Sequence, residues 1–338
     1  MRRSLLSTAV LALAIVCVQQ ALRAPVASAG GGAALPERLS ETGIERGRPF
    51  SPQYPLWSDG AVKSRWVYLP PGTTIDARST AWDFPAGTKF WKEFRFNGRK
   101  VETRMLWKAS DSHWEFGSYV WDADGSDATL APADGVVGAA DLGGGKRHSI
   151  PSRIDCRSCH EARRIEVLGF NALQLSTDRD PNAIHGEPIA AGDVTLKTLV
   201  EEKLLSPART DLLAAPPRIS GDPLTRSVVG YLAANCGHCH NRDTDVPLLG
   251  ASLRPGDVAD GGAIARALAS HRTDWQVPGT GEAPSLAINP ASPDASAILV
   301  RMRSRRPSSQ MPPTGTAIVD TEAVAAVRAW IGTVDRRP

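Results

Sequence analysis

The chain has 338 residues, 42% hydrophobic and 22% charged, which is the composition of a folded globular protein and excludes bulk disorder. Its formal charge of +3 resides in Arg2, Arg3 and Arg23; from Gly30 onward the basic side chains equal the 36 acidic ones in number. No basic patch argument for nucleic acid survives that balance.

Residues 1–29 read as an export signal. A basic start, Met1-Arg2-Arg3, precedes an apolar run from Leu5 to Val18 and a small-x-small cleavage site, Ala27-Ser28-Ala29. A membrane anchor needs about 20 apolar residues, and Gln19-Gln20 interrupts the run too early. Bulky Val16 argues against a lipid anchor on Cys17. The expected product is an exported, periplasmic protein without a membrane span after cleavage, and its cysteines are Cys156, Cys159, Cys236 and Cys239.

Residues 30–50 are punctuated by Gly and Pro and predict a linker or extended arm. A β-rich module is expected over 51–150. Seven of the nine tryptophans lie between Trp57 and Trp121. The run Lys89–Phe96, then Asn97-Gly98, then Lys100–Trp107 predicts a β-hairpin, because Asn-Gly supplies the positive φ angles of a two-residue turn. Trp114–Trp121 predicts a further strand. A small antiparallel β-sandwich follows, its aromatics serving as cross-strand core pairs in preference to a carbohydrate platform.

Helical periodicity begins near residue 190. Asp193–Leu205 predicts one amphipathic helix. Asp222-Pro223 caps a helix running into Cys236, Ser292-Pro293 starts another through Arg303, and Asp320 caps a last one. The fold class is thus α+β and multidomain: a sandwich-like module, a segment 151–219 holding the first cysteine motif, and a mainly α region over 220–338.

The two motifs are Cys156-Arg157-Ser158-Cys159-His160 and Cys236-Gly237-His238-Cys239-His240. Each is the signature of covalent haem attachment. Two thiols add to the haem vinyl groups, the intervening residues span the distance as a tight turn, and the trailing histidine is carried beneath the ring to bind iron. Four-thiolate zinc leaves both histidines without a role, as do thioredoxin-like centres. Structural disulfides join distant positions. Two covalently bound haem c groups are expected, with His160 and His240 as iron ligands and His238 pointing outward.

For the second iron, Met311 in Gln310-Met311-Pro312-Pro313 is the predicted distal ligand; a thioether favours Fe(II) and raises the potential. Met302 reads as core filler on an amphipathic helix. For the first iron the candidates are His185, His148, Met105 and His113, or an open position.

With these residues in view, 220–335 resembles a class I c-type cytochrome: a helix into Cys236-Gly237-His238-Cys239-His240, the Met311-Pro312-Pro313 loop and a closing helix. The resemblance implies crossing first and last helices, Cys236 and Cys239 as thioether donors, and His240 and Met311 as axial ligands. The whole chain resembles a group of exported bacterial di-haem proteins through Pro55-Leu56-Trp57-Ser58-Asp59-Gly60-Ala61, Glu102-Thr103-Arg104, two haem motifs and the MPP loop. That similarity implies no established reaction. The first motif departs from the class I pattern: Arg147–Asp155 holds two breakers and no amphipathic helix, so completion by the β module is expected.

Electron transfer between periplasmic redox partner proteins is the expected function. The alternatives are a di-haem peroxidase or oxidase with an open first haem, and an electron port for chemistry in the β module.

Overall fold

The computed structural model describes residues 34–160, 167–279 and 285–335. The expected signal peptide and Cys17 lie outside them. Seven strands occupy the first part of the chain: β1 (Arg48–Pro49), β2 (Val62–Tyr68), β3 (Ile75–Asp76), β4 (Lys89–Phe96), β5 (Arg99–Ser110), β6 (His113–Trp121) and β7 (Ala128–Leu130). Six of them form one antiparallel sheet in the order β1-β2-β4-β5-β6-β7. Asn97 and Gly98 take φ of 50° and 76° and close the β4–β5 hairpin, as the Asn-Gly signal requires.

Cross-strand registry sorts the aromatics onto two faces. Trp66, Trp91 and Met105 oppose one another on one face, and Val67, Phe90, Leu106 and Phe116 do so on the other. The expected sandwich is not what covers them. Leu39, 2% exposed, packs with Trp91, Met105 and Tyr119, so the stretch expected as a linker is a cover for the sheet. The opposite face shares a core with Phe170, Leu175, Leu196 and Leu199. A second sheet appears as the β8 (Val136–Gly143) and β9 (Lys146–Ile150) hairpin, packed by Ala140 and Leu142 onto Phe94 and Phe96. An aromatic face needs burial but not a particular partner.

Next come α1 (Arg153–His160) and α2 (Leu196–Glu201). The latter is shorter than the periodicity over Asp193–Leu205 implies. Thr195 caps it by accepting the Thr198 N–H at 3.2 Å, Lys203 turns the chain at φ 57°, and β10 (Leu205–Ser206) pairs in parallel with β3. Strand pairing and a cap outweigh apolar spacing here. The segment 151–219 therefore shares the core of the β module.

The last part contains α3 (Asp211–Ala214), α4 (Pro223–Cys236), α5 (Gly261–Ser270), α6 (Ala297–Arg303) and α7 (Thr321–Ile331), with a small β11 (Arg272–Thr273) and β12 (Ser285–Leu286) pair. Asp222 caps α4, accepting the Leu224 and Thr225 N–H groups at 3.0 and 3.1 Å, and Asp320 caps α7. Asp260 caps α5, which the sequence reading did not include. Ser292 gives no side-chain cap; Pro293–Ala295 is a 3-10 turn, and α6 begins after it. Helices α4, α6 and α7 share a core through Val228, Leu232, Leu299, Val327 and Trp330. The Trp330 indole N–H donates to Thr225 Oγ1 at 3.2 Å across α7 and α4.

The N-terminal stretch docks on α4. A Cβ at Gly230 would lie 2.2 Å from the Tyr54 ring, so only glycine permits this approach. The Trp57 N–H donates to Asn235 Oδ1 at 2.7 Å, one residue before Cys236.

Candidate functional site

Helix α4 delivers the second motif. Beyond its end, the Cys239 and His240 N–H groups donate to the Cys236 carbonyl at 3.1 and 2.8 Å, so both cysteines and the histidine leave one helical turn. Gly237 fits because a Cβ there would meet the Leu253 carbonyl at 2.2 Å.

The His240 ring is fixed by its own chemistry. Nδ1 lies 2.9 Å from the Pro247 carbonyl. A carbonyl oxygen only accepts, so Nδ1 carries the proton and Nε2 keeps its lone pair. Burial, with Arg301 nearby, holds the imidazole below its ordinary value and neutral. Such a tautomer, locked from the far nitrogen, is the arrangement of a metal-binding histidine.

The first motif lies inside α1, which begins only at Arg153; strand β9 and a two-residue loop precede it, so no amphipathic helix leads into the motif. Ser152 and Asp155 form a reciprocal cap: Ser152 N–H donates to Asp155 Oδ2 at 2.9 Å and Asp155 N–H to Ser152 Oγ at 3.1 Å. That start places Cys156, Cys159 and His160 over little more than one turn. The His160 ring stacks on Phe116 of β6, centroids 5.6 Å apart and planes at 29°.

Cys156, Cys159, Cys236 and Cys239 form no disulfide. Burial pushes Cys236 up to about 12 and Cys156 up to about 11. They are thiols at neutral pH, whereas redox-active cysteines need depressed values.

The two motifs meet on one cavity of about 630 Å³, within the range of roughly 300–1,000 Å³ of cofactor and ligand sites. Cys156, Cys159 and His160 form one wall, Phe116, Lys92 and Arg104 of the sheet another. His238 and Cys239 enter from the second motif, and Pro312 to Ala317 close a further side. His238 thus faces the cavity, contrary to expectation, because the helical turn at Cys236–His240 rotates it inward. Its Nδ1 is buried without a partner. Burial first, then the nearby His160, His240 and Lys92, bring it down to about 4.

Met311 is half-buried, and its N–H donates to the Arg301 carbonyl at 3.0 Å. Arg301 also acts electrostatically on His240, so the loop and the second motif share that neighbour. Met302 is 8% exposed in the helical core, as expected. The first-iron candidates are engaged in other contacts. His185 is not among the cavity-lining residues; its Nε2 lies 2.9 Å from Asp320 Oδ2, its Nδ1 3.5 Å from Glu322 Oε2, and its ring stacks on Trp57. His113 pairs with Glu115 at 3.0 Å. Met105 borders the cavity but packs in the core with Trp91 and Tyr119.

His148 belongs to a buried network that sequence reading missed. Nδ1 lies 3.0 Å from Asp59 Oδ2 and Nε2 2.9 Å from Glu102 Oε1, while Arg104 donates to Glu102 Oε1 at 2.6 Å. With both nitrogens on carboxylates, His148 has no lone pair for a metal. Burial opposes its charge, yet the hydrogen bonds to Asp59 and Glu102 raise it above its ordinary value. Burial likewise opposes the Glu102 charge, and Arg104 and His148 together hold it low. Asp59 and Glu102-Arg104 were visible only as members of the short stretches that carry the resemblance.

No family model, curated protein or solved structure matches this chain. Among the described residues, no helix is long and apolar enough to cross a membrane. The donor set fits haem on its own terms: two pairs of cysteines without disulfides, each pair one helical turn apart, a trailing histidine with Nε2 available, and a cavity lined by Cys156, Cys159, His160 and Cys239, with Cys236, His240 and Met311 outside its lining.

Proposed function

We propose that this chain is an exported di-haem c-type cytochrome that passes single electrons between periplasmic partner proteins. The observation that carries the reading is the His240–Pro247 hydrogen bond, which leaves Nε2 unprotonated directly after two cysteines that form no disulfide. Cys156 and Cys159, and Cys236 and Cys239, would hold the two groups through thioethers. His160 and His240 would bind iron. When bound, haem supplies an Fe(III)/Fe(II) couple. The protein's share is to fix the ligands and exclude water: Pro247 holds the His240 ring, Phe116 holds His160, and Asp59 accepts the Ala317 and Ile318 N–H groups at 2.7 and 3.1 Å to anchor the segment after Met311. We assign Met311 to the second iron. To the first we assign His238, whose buried Nδ1 lacks a partner in the wall shared with His160.

A second reading, a di-haem peroxidase or oxidase, is favoured by the Asp59–His148–Glu102–Arg104 network, an acid–base array of which Asp59 and Arg104 border the cavity. Absorption and paramagnetic resonance of the ferric protein separate the two. The carrier reading expects two low-spin haems indifferent to cyanide and peroxide. A high-spin half that responds to those ligands would overturn it in favour of the enzyme. Mass spectrometry expects two covalent haems per chain; any other number means that a motif has been misread.

A further inference from the structure

Arg65, Lys92 and Arg104 stand directly opposite one another on β2, β4 and β5, and all three border the cavity. Like charges at opposed positions destabilise a sheet, so the row requires compensation from elsewhere. Its two ends have it: Arg65 lies 2.6 Å from Glu187 and Arg104 2.6 Å from Glu102. The centre does not. Among the described residues no carboxylate lies within ion-pair distance of Lys92, whose Nζ is 5.2 Å from the Phe94 ring centroid. Burial, then Arg65, Lys63 and Arg104, push Lys92 well below its ordinary value.

Two more donors point the same way. Trp57 Nε1 and Thr316 Oγ1 are buried without partners, and both residues belong to the wall of this cavity. Leaving a buried polar group unpaired forfeits its hydrogen bonds to water without replacing them. One lysine amine without a carboxylate partner, whose charged form a neighbouring anion would restore, and two neutral donors around one cavity are complementary to an anionic, multiply accepting group.

We propose that the Arg65–Lys92–Arg104 row, with Trp57 and Thr316, is a carboxylate site, and that its occupants are the propionates of the haem held by Cys156 and Cys159. The occupant rests on the cofactor reading above. Direction supports it. Arg104 is the member whose charge reaches Cys156 and Cys159, and Arg65 lies two strand spacings, about 10 Å, beyond it. Haem propionates project from the porphyrin edge opposite the vinyl groups, so Lys92 and Arg65 would receive the propionates of a ring held by Cys156 and Cys159. The tryptophan-rich sheet then serves as the anionic-edge receptor of the first haem.

The test uses the full, haem-loaded protein. Mass spectrometry of each variant first establishes two covalent haems; their absence overturns the cofactor reading, and the occupant with it. Lys92→Met removes an amine that has no carboxylate partner, and that would be charged beside a propionate, while keeping a long side chain. It is expected to shift one of the two midpoint potentials to more negative values, because the oxidised haem loses a repelling cation, and to leave the other unchanged. Trp57→Phe and Thr316→Val, which remove donors and little volume, are expected to shift the same haem. Two unchanged potentials in all three loaded variants overturn the proposal while leaving the cofactor reading intact. Titrating the loaded wild-type protein with acetate distinguishes the source of the carboxylate. No spectral change is expected, and a saturable change at one haem means that the row is open to free carboxylates and that propionates do not fill it.

Discussion

Asp59 Oδ1 accepts the Ala317 N–H at 2.7 Å, joining residues 258 positions apart. Its other oxygen accepts from His148 at 3.0 Å. One carboxylate therefore anchors the segment after Met311 to the buried network on the sheet. Asp59→Ala is expected to destabilise the fold by about 3–5 kcal/mol, because it strands a buried charge as well as two backbone donors. Denaturant unfolding measures this, and a loss below about 1 kcal/mol would show that the network contributes little.

The network also sets a pH dependence. His148 and His185 both have values raised above the ordinary one, His148 against burial through Asp59 and Glu102, and His185 through its bond to Asp320. A raised folded-state value contributes stability that is fully present below the unfolded pKa of about 6.5 and is lost as pH rises through the folded values. The denaturation midpoint should therefore fall as pH rises from about 6.5 upward. His148→Gln should flatten the curve as well as lower it. An unchanged slope in that variant would assign the dependence to His185.

Gly230 is a helix-interior glycine that cannot be improved. On an exposed helix face Gly→Ala gains up to about 1 kcal/mol, but here the new Cβ would lie 2.2 Å from the Tyr54 ring. Gly230→Ala should cost about 1–3 kcal/mol by overpacking, read as a lower unfolding midpoint; a stabilised variant would mean that Tyr54 is not seated against α4.

Ligand assignments have spectroscopic signatures. Met311→Ala should abolish the weak long-wavelength absorption that a Met–Fe(III) bond gives, while leaving two covalent haems. If the band survives, the thioether comes from elsewhere, with Met302 next.

His238→Ala should convert one of two low-spin ferric haems to high spin, since its Nδ1 is the unpartnered imidazole nitrogen in the cavity wall. Retention of two low-spin signals would place the sixth ligand of the first iron outside His238.

Much of the site was legible because its chemistry is local. The CxxCH spacing, the Asp222 and Asp320 caps and the Asn97-Gly98 turn each depend on residues within a few positions of one another, so the α4 and α7 starts and the β4–β5 hairpin follow directly. Features that depend on distant partners were not legible. Nothing in Leu39 says that it covers Trp91, and nothing near Leu205 says that it pairs with Ile75. Nothing local to His185 or His148 says which carboxylates fold against them.

The sequence by itself determined the spacing of the two CxxCH motifs, the composition balance, the α+β class and the main helix caps, because motif spacing, charge count and capping are short-range properties of the chain. Tertiary structure alone decided that both CxxCH motifs reach one cavity, that His238 turns inward, and that three basic residues of the sheet stand in a row on the wall they share with Cys156 and Cys159. Each of these is set by strand register and by the rotation of a helix end against its neighbours, which arise only when segments far apart in the chain bury their apolar faces together.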